Sequence, residues 1–383
     1  MWLVPALRFP EFSGEWERCA LAEICNIVGR IGFRGYTIQD IVDKGTGAIA
    51  LSPSNITDNR LSYDKDNTYI SYFKYEESPE IKVFVGDIVF VKTGSTVGKV
   101  AYVDNILCET TLNPQLVVLK KIKCNSFLLG QILSASKFQN AIKRITVGGA
   151  VPTLSQNEMG KISVSIPQKM EQKKIATLFH LIDERISVQN KIIEDLKKLK
   201  SAIYQEMFGS LVAQTLELGQ VAEITKGKQV NGTELLEQGD YYVMNGGTTP
   251  SGWLNRYNTE ANTISISEGG NSCGYVQYNI SRYWSGGHCY SLRILHPQET
   301  LDLYLYHFLK WQEDNIMALR IGSGLPNIQK KDLLHFPIIL PTIDKQKSII
   351  SVLTAIDAKI ACEDSLTEYY TMQKDFLLRN LFT

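Results

Sequence analysis

The chain contains one stretch twice. Residues 151–208 align with residues 325–382 at a constant offset of 174, over 58 positions and without a gap. Pro152 falls on Pro326, Pro167 on Pro341, Gln172-Lys173 on Gln346-Lys347, Ile182-Asp183 on Ile356-Asp357, Lys200 on Lys374 and Phe208 on Phe382. Only 11 of these pairs are identical, but most of the others keep apolar against apolar, as in Leu154/Ile328, Ile162/Phe336 and Ile203/Leu377. A period this long means two copies of a domain-sized unit, not a solenoid of short repeats. Whatever the chain folds into must hold the same piece of structure twice.

Each copy has one grammar. A short apolar run closed by proline (162–166 then Pro167, 336–340 then Pro341) predicts a strand followed by a helix start. A long segment follows that lacks proline, and lacks glycine until Gly209. In the first copy Ile175, Leu178, Ile182, Ile186, Ile193, Leu196, Leu199, Ile203 and Met207 recur at steps of three, four or seven. That spacing predicts an amphipathic helix of coiled-coil type, with the charged face in water. The matching stripe in the second copy is Ile349, Val352, Ile356, Ile360 and Leu377, interrupted by Glu363, Thr367 and Gln373. The interruption predicts a wet stretch or a surface for a partner. At 1.5 Å per residue, roughly 40 residues make a rod about 60 Å long. The simplest use of two such helices is to bury their stripes on each other.

The rest divides into two mixed α/β units, residues 1–150 and 209–324, each followed by a connector and helix (151–208 and 325–383). A chain of 383 residues has room for this. Both units carry strands flanking a glycine-rich turn: Gly86–Tyr102, with Gly94 and Gly98, and Thr263–Val276, with Gly269, Gly270 and Gly274. Alternating β-branched residues on either side of such a turn predict a hairpin with an accessible backbone tip. Both units also end alike, with Arg144, Gly148-Gly149 and Pro152 in one and Arg320, Gly322, Gly324 and Pro326 in the other. Ala22-Glu23-Ile24 and Ala222-Glu223-Ile224 suggest that the units align at an offset of 200 near their starts. An aromatic, proline-punctuated leader, Leu7 to Trp16, is expected to lie against a neighbouring element.

No catalytic constellation stands out. Gly94-Ser-Thr-Val-Gly98-Lys99 has three residues between its glycines, and Val100 stands where a phosphate loop needs Ser or Thr. The five histidines form no HxxxH or HExxH pattern. Asn113-Pro114-Gln115 begins like the motif of amino-methyltransferases but lacks its second proline and its aromatic residue. Seven cysteines, an odd number with no CxxC pair, read as reduced thiols. No signal-peptide core or membrane-length apolar run is present, so a cytoplasmic protein is expected.

The variable units are rich in polar, aromatic and amide side chains. Arg30, Arg34, Tyr36, Tyr63, Lys65, Tyr69, Tyr72 and Lys74 interleave bases and rings in the first, joined by Lys92, Thr93 and Ser95 of its hairpin. Lys226, Lys228, Asn245, Thr248, Trp253, Arg256, Asn271 and Arg282 do so in the second. Such groups bond base edges and phosphates in DNA-binding proteins, and they equally dress ordinary solvated loops. Net charge does not decide between these readings. It is zero overall, and residues 209–324 hold 7 basic against 11 acidic residues.

The leader LRFPEFSGEW, the hairpin GDIVFVKTGSTVGKVAYV, the proline-bounded strand before EQKKIATLFHLIDERI, and the terminal Met207-Phe208 and Leu381-Phe382 resemble the specificity subunit of type I restriction–modification systems. The likeness spans the whole chain, including the order and number of parts. It implies an α/β (α+β) fold of two target-recognition domains in tandem pseudo-repeat, separated by two long helices forming an antiparallel coiled coil. It also implies that each domain reads one half of a split double-stranded DNA sequence. The helices would set the gap and dock two modification (methyltransferase) subunits. S-adenosylmethionine is then expected on those partners and no cofactor on this chain, with restriction/translocase subunits as further partners and no membrane. A non-catalytic protein scaffold, or a cytosolic enzyme with an unrecognised site, are the competing classes.

Overall fold

A computed structural model describes residues 5–63, 66–147, 151–322, 324 and 326–382. Lys65, Gly148-Gly149, and the domain borders expected at 150 and 325 lie outside the described residues. The chain divides into two compact units, Met1–Val188 with Thr367–Thr383, and Gln189–Leu366. The division falls inside both long helices, Lys169–Gly209 and Ile343–Leu381, because the half of each helix in a unit contributes to that unit's core.

In the first unit a six-stranded sheet runs in the order Asn26–Gly29, Leu116–Lys120, Ile88–Val91, Val100–Tyr102, Arg60–Leu61, Ile56–Thr57. A four-stranded sheet (Thr110–Leu112, Ala48–Leu51, Tyr69–Ile70, Ile41–Val42) adjoins it in sequence. Ile88–Val91, and Leu116–Lys120 up to its last residue, are apolar and buried, as strands covered on both faces must be. One face meets the helices Ser126–Ser134 and Ser136–Ile145, through Leu129, Leu133 and Phe138. In the second unit a four-stranded antiparallel sheet has the order Ala222–Lys226, Cys289–Ile294, Thr263–Ser267, Val276–Asn279. It repeats the first four strands of the six-stranded sheet and packs on the helices Asp302–Trp311 and Glu313–Ala318 through Tyr304, Phe308 and Ile316.

The proline-bounded strands are Ser163–Ile166 and Pro337–Leu340, and each finds a partner the sequence did not reveal. Glu17–Ala20 pairs antiparallel with the first and Gln214–Glu217 with the second. A one-turn helix follows each partner, Leu21–Ile24 and Leu218–Val221. This corrects the offset of 200: Ala22-Glu23-Ile24 lies on that turn, whereas Ala222-Glu223-Ile224 lies in a strand. Glu17 corresponds to Gln214, so the offset is 197, and a short shared tripeptide had mimicked the true register.

Within the first unit the helices run antiparallel. Phe179 stacks on Phe382 at 5.9 Å and Asp183 pairs with Lys374 at 2.7 Å, rising numbers meeting falling ones. Gln131 and Arg60 also face the Asp183 carboxylate, at 3.5 and 3.7 Å. In the second unit Gln189 pairs with Glu363 and Lys200 with Asp357, again antiparallel. Ile175, Ile182, Ile193 and Ile349 are buried, and Leu178, Ile186, Leu196, Ile203, Ile356, Ile360 and Leu377 half-buried. Val352 does not join them. It is 39% exposed, and the neighbouring Leu353 fills the core, as its repeat mate Phe179 does. Leu199 is likewise exposed, and Lys200 takes the seam. A stripe at steps of three and four leaves a one-residue ambiguity that only packing resolves. The interruption in the second stripe is mixed: Gln373 is exposed and Thr367 half-buried, but Glu363 is buried, with the Lys359 ammonium and the Gln189 amide holding its carboxyl below the usual range.

The leader packs where expected. Arg8 grips the buried Glu171 carboxylate with two bonds of 2.7 Å, Trp16 donates to it at 3.2 Å, and the Leu7 amide donates to the Asn380 carbonyl at 3.0 Å. Gln172 and Gln346 explain one identity of the repeat. Each side-chain amide donates to the proline carbonyl five residues back (2.8 and 2.9 Å) and accepts from the amide of the residue preceding a domain helix, Asn125 or Leu301 (2.8 and 2.9 Å).

Candidate nucleic-acid interface

The two glycine hairpins have one backbone design. Gly94 and Gly98 take φ of +107° and +100°, and Gly270 and Gly274 take +77° and +93°, a region where other residues are strained. The Val97 amide donates to the Gly94 carbonyl at 3.1 Å, and the Cys273 amide to Gly270 at 3.1 Å. The connector of the repeat then locks each tip. Gly94 donates to the Pro152 carbonyl (2.9 Å) and Gly270 to that of Pro326 (3.0 Å). Leu154 donates to Lys92 (2.8 Å) and Ile328 to Glu268 (2.9 Å). Thr93 bridges Thr153 as Gly269 bridges Asn327. The repeated Pro152/Pro326 thus ties the turn of each hairpin, the mouth of its sheet, to the connector.

The side chains at the two mouths differ. The Lys92 amide donates to the Gln115 carbonyl, and the Glu268 amide to that of His288, both at 2.9 Å. The Asn113 side chain accepts from the Gln115 amide at 2.7 Å, and the Asn245 side chain does the same for His288 at 3.1 Å. Asn113 lies two residues before its partner, whereas Asn245 follows the strand Tyr241–Met244, far from His288 in sequence. Glu268 accepts at Oε1 from Lys226 (2.6 Å) and from the Tyr290 hydroxyl (3.1 Å). Burial, with the Glu268 charge adding to it, pushes the Tyr290 phenol well up, so this hydroxyl stays a donor.

The candidate residues fall into groups. Thr93, Ser95 and Lys92 line the first mouth, and Asn245, Lys226 and Asn271 the second. Thr248 is exposed three residues beyond Asn245. Arg34 and Lys74 meet at Glu77: Arg34 donates to its carbonyl at 3.2 Å, Lys74 pairs with its carboxylate, and Arg34 also faces Glu80 at 3.6 Å. Tyr72 is exposed beside them. Arg256 pairs with Glu234 over the Trp284 ring, and Arg282 with Glu260 over the Tyr257 ring. The Lys228 backbone binds Ser285 and Trp284, and Trp253 packs edge-on against Tyr242. Arg30 is placed differently. It is 6% exposed, donates to the Leu112 carbonyl (3.0 and 2.8 Å) and to Thr111, and lies 5.4 Å from the Tyr36 ring. Burial lowers its pKa, and it braces the fold rather than reaching solvent. Sequence reading passed over Glu268, His288 and Gln115; for Glu268 the available signal was its place two residues before the hairpin glycine Gly270, as Lys92 stands before Gly94, whereas Gln115 and His288 have no constant spacing to theirs. It also passed over Phe73, 81% exposed next to Tyr72.

Two α/β units, each carrying the same locked hairpin and its half of an antiparallel helix pair, define a duplicated binding protein whose loops vary on a repeated frame. The chain belongs to the Type I restriction modification DNA specificity domain family, whose family model matches residues 13–198 and 213–368. It is 36% identical to a type I specificity subunit of Mycoplasma pneumoniae over 167 residues, 43% of this chain and 44% of that protein. It is 22% identical to a type I restriction enzyme specificity subunit of Methanocaldococcus jannaschii, over 97% of this chain and 94% of that one. Its fold is that of the solved type I restriction–modification S subunit of Mycoplasma genitalium, with a TM-score of 0.63 at 18% identity and 99% of both chains covered. The match to the M. pneumoniae relative thus spans less than half of its length. Among the described residues no helix is long and apolar enough to cross a membrane.

Proposed function

We propose that the chain reads a split double-stranded DNA sequence as the specificity subunit of a type I restriction–modification complex. One observation carries the reading: the two hairpin mouths share every backbone bond described above and differ in their side chains. Two different half-sites require a constant frame with variable polar groups. Of the candidate residues, Lys92, Thr93, Ser95, Lys226, Asn245, Thr248, Asn271, Arg256 and Arg282 are available for base or phosphate contacts. Arg256 and Arg282 would exchange exposed carboxylate partners for phosphate, at little cost because such pairs contribute ~0–1 kcal/mol.

On this reading the chain supplies recognition and docking, and the chemistry belongs to its partners. Two modification subunits carry S-adenosylmethionine, and restriction/translocase subunits complete the assembly. Tyr369, Met372 and Phe376 follow one another along one face of the second long helix and are all exposed, which suits a docking surface. The test is co-expression with the modification subunit of the same system, followed by sequencing of methylated positions. A bipartite motif with a fixed gap is expected. No methylation, or a contiguous motif, overturns the reading. The assembled mass should show two modification subunits per chain; one-to-one assembly at saturation overturns that stoichiometry.

A further inference from the structure

The two mouths present opposite hydrogen-bonding characters at one position of a shared frame. Lys92 of the first unit and Glu268 of the second occupy the same backbone site, each amide bonded to the adjacent strand and each carbonyl bonded to the connector. Gln115 and His288 occupy the neighbouring site in the same way. The first mouth therefore offers an ammonium and an amide, and the second a carboxylate and an imidazole.

The carboxylate is fixed in place. Glu268 has a side chain only 13% exposed, and its Oε1 is held by Lys226 and Tyr290. Among the described residues nothing donates a hydrogen bond to its Oε2; the His288 Nδ1 stands 3.8 Å away, beyond hydrogen-bond reach. The Oε2 is an acceptor with capacity left, beside an imidazole that is itself well exposed. A carboxylate on a DNA-facing surface is repelled by phosphates, so it is favourable only where a donor meets it. The donors on base edges in the major groove are the exocyclic amines, cytosine N4 and adenine N6, and carboxylates pair with cytosine N4. An ammonium suits the opposite edge, the guanine O6 and N7 acceptors.

We infer that Glu268, with His288 beside it, is a base-reading group of the second unit that accepts a hydrogen bond from an exocyclic base amine, and that Lys92, with Gln115, reads guanine acceptors from the same place in the first unit. The inference rests on the DNA-reading function proposed above and assigns its chemistry. An acidic residue of the second unit, Glu268, then belongs to the reading surface.

The experiment uses the full chain assembled with its modification subunits. Wild type, Glu268→Gln and Lys92→Glu complexes select from duplex pools randomised across both half-sites, and the bound fraction is sequenced. Glu268→Gln keeps the side-chain volume but turns part of the acceptor into a donor. It is expected to lose about 10- to 100-fold discrimination at one cytosine or adenine position of the second half-site, with the first unchanged. Lys92→Glu is expected to lose a guanine preference in the first half-site alone, by a similar factor. Unchanged preference in either variant overturns the assignment for that unit, while a bipartite wild-type motif would leave the functional reading standing. A uniform loss of affinity without any change in preference also overturns it, since it would mark a structural or phosphate-facing role. A wild-type complex that selects no bipartite sequence would instead defeat the functional reading itself.

Discussion

His307 shows how a single buried side chain ties the stability of the second unit to pH. Its Nδ1 lies 3.1 Å from the Tyr204 hydroxyl, and burial lowers its pKa from 6.5 to about 4, against a smaller opposing pull from Asp357. The folded form disfavours the proton and the unfolded form does not. This contribution is therefore complete above about pH 6.5 and is lost as pH falls toward 4. A shift of this size is worth about 3 kcal/mol. Urea denaturation of the wild type should lose that much across the window, and His307→Gln, which keeps a partner for Tyr204, should show a flatter profile. An equal slope in both proteins would assign the acid sensitivity elsewhere. At this scale the sequence showed which residues recur but not what they do. Gln172 and Gln346 stood out as identities, yet their clip between a proline carbonyl and a helix start needs coordinates. Arg30 had the composition of a DNA contact, and only its burial assigns it to the core.

Along the helices, polar residues fix which segments meet. Asp183 and Lys374 pair in the first unit and Asp357 and Lys200 in the second, so one Asp/Lys pair of the repeat appears in both. Asp183 and Lys374 are nearly buried, and a charge left there without its partner is far more costly than the pair is beneficial. Asp183→Leu should destabilise by about 3–5 kcal/mol, whereas Asp183→Leu with Lys374→Met should recover most of the loss. Equilibrium denaturation of the two variants checks this; equal losses would remove the pair as a register device. Both helices were legible from the repeat and from the absence of glycine and proline. The seam was legible only to within one residue, hence Leu353 in place of Val352. Glu363 could be read as a break because no local pattern shows that Gln189 waits opposite. Strand pairing was the least legible, since Glu17–Ala20 and Ser163–Ile166 are joined by contacts across most of a unit's length.

For the whole molecule, the repeat and its order of parts carried the fold class, while apart from the two glycine hairpins the contents of each variable unit came only with the structure. Exchanging residues 17–150 for the equivalent stretch of a relative should alter one half-site and leave the other, as methylation sequencing of cells with the chimeric complex would show. A change in both, or in neither, would separate recognition from the duplicated frame. The division of the chain also bears on synthesis. The second unit is one continuous run, Gln189–Leu366, whereas the first needs Thr367–Thr383 to finish its core, where Leu378, Leu381 and Phe382 are buried with Trp16 and Phe179. On the ribosome the first unit therefore cannot complete its core until the second unit has been made. Until then the first unit lacks Leu378, Leu381 and Phe382, which cover part of its apolar core. A chain stopped after Leu366 should yield a protease-resistant second unit and a readily cleaved first one. Synthesis of Thr367–Thr383 is thus the step at which the first unit becomes able to finish its core.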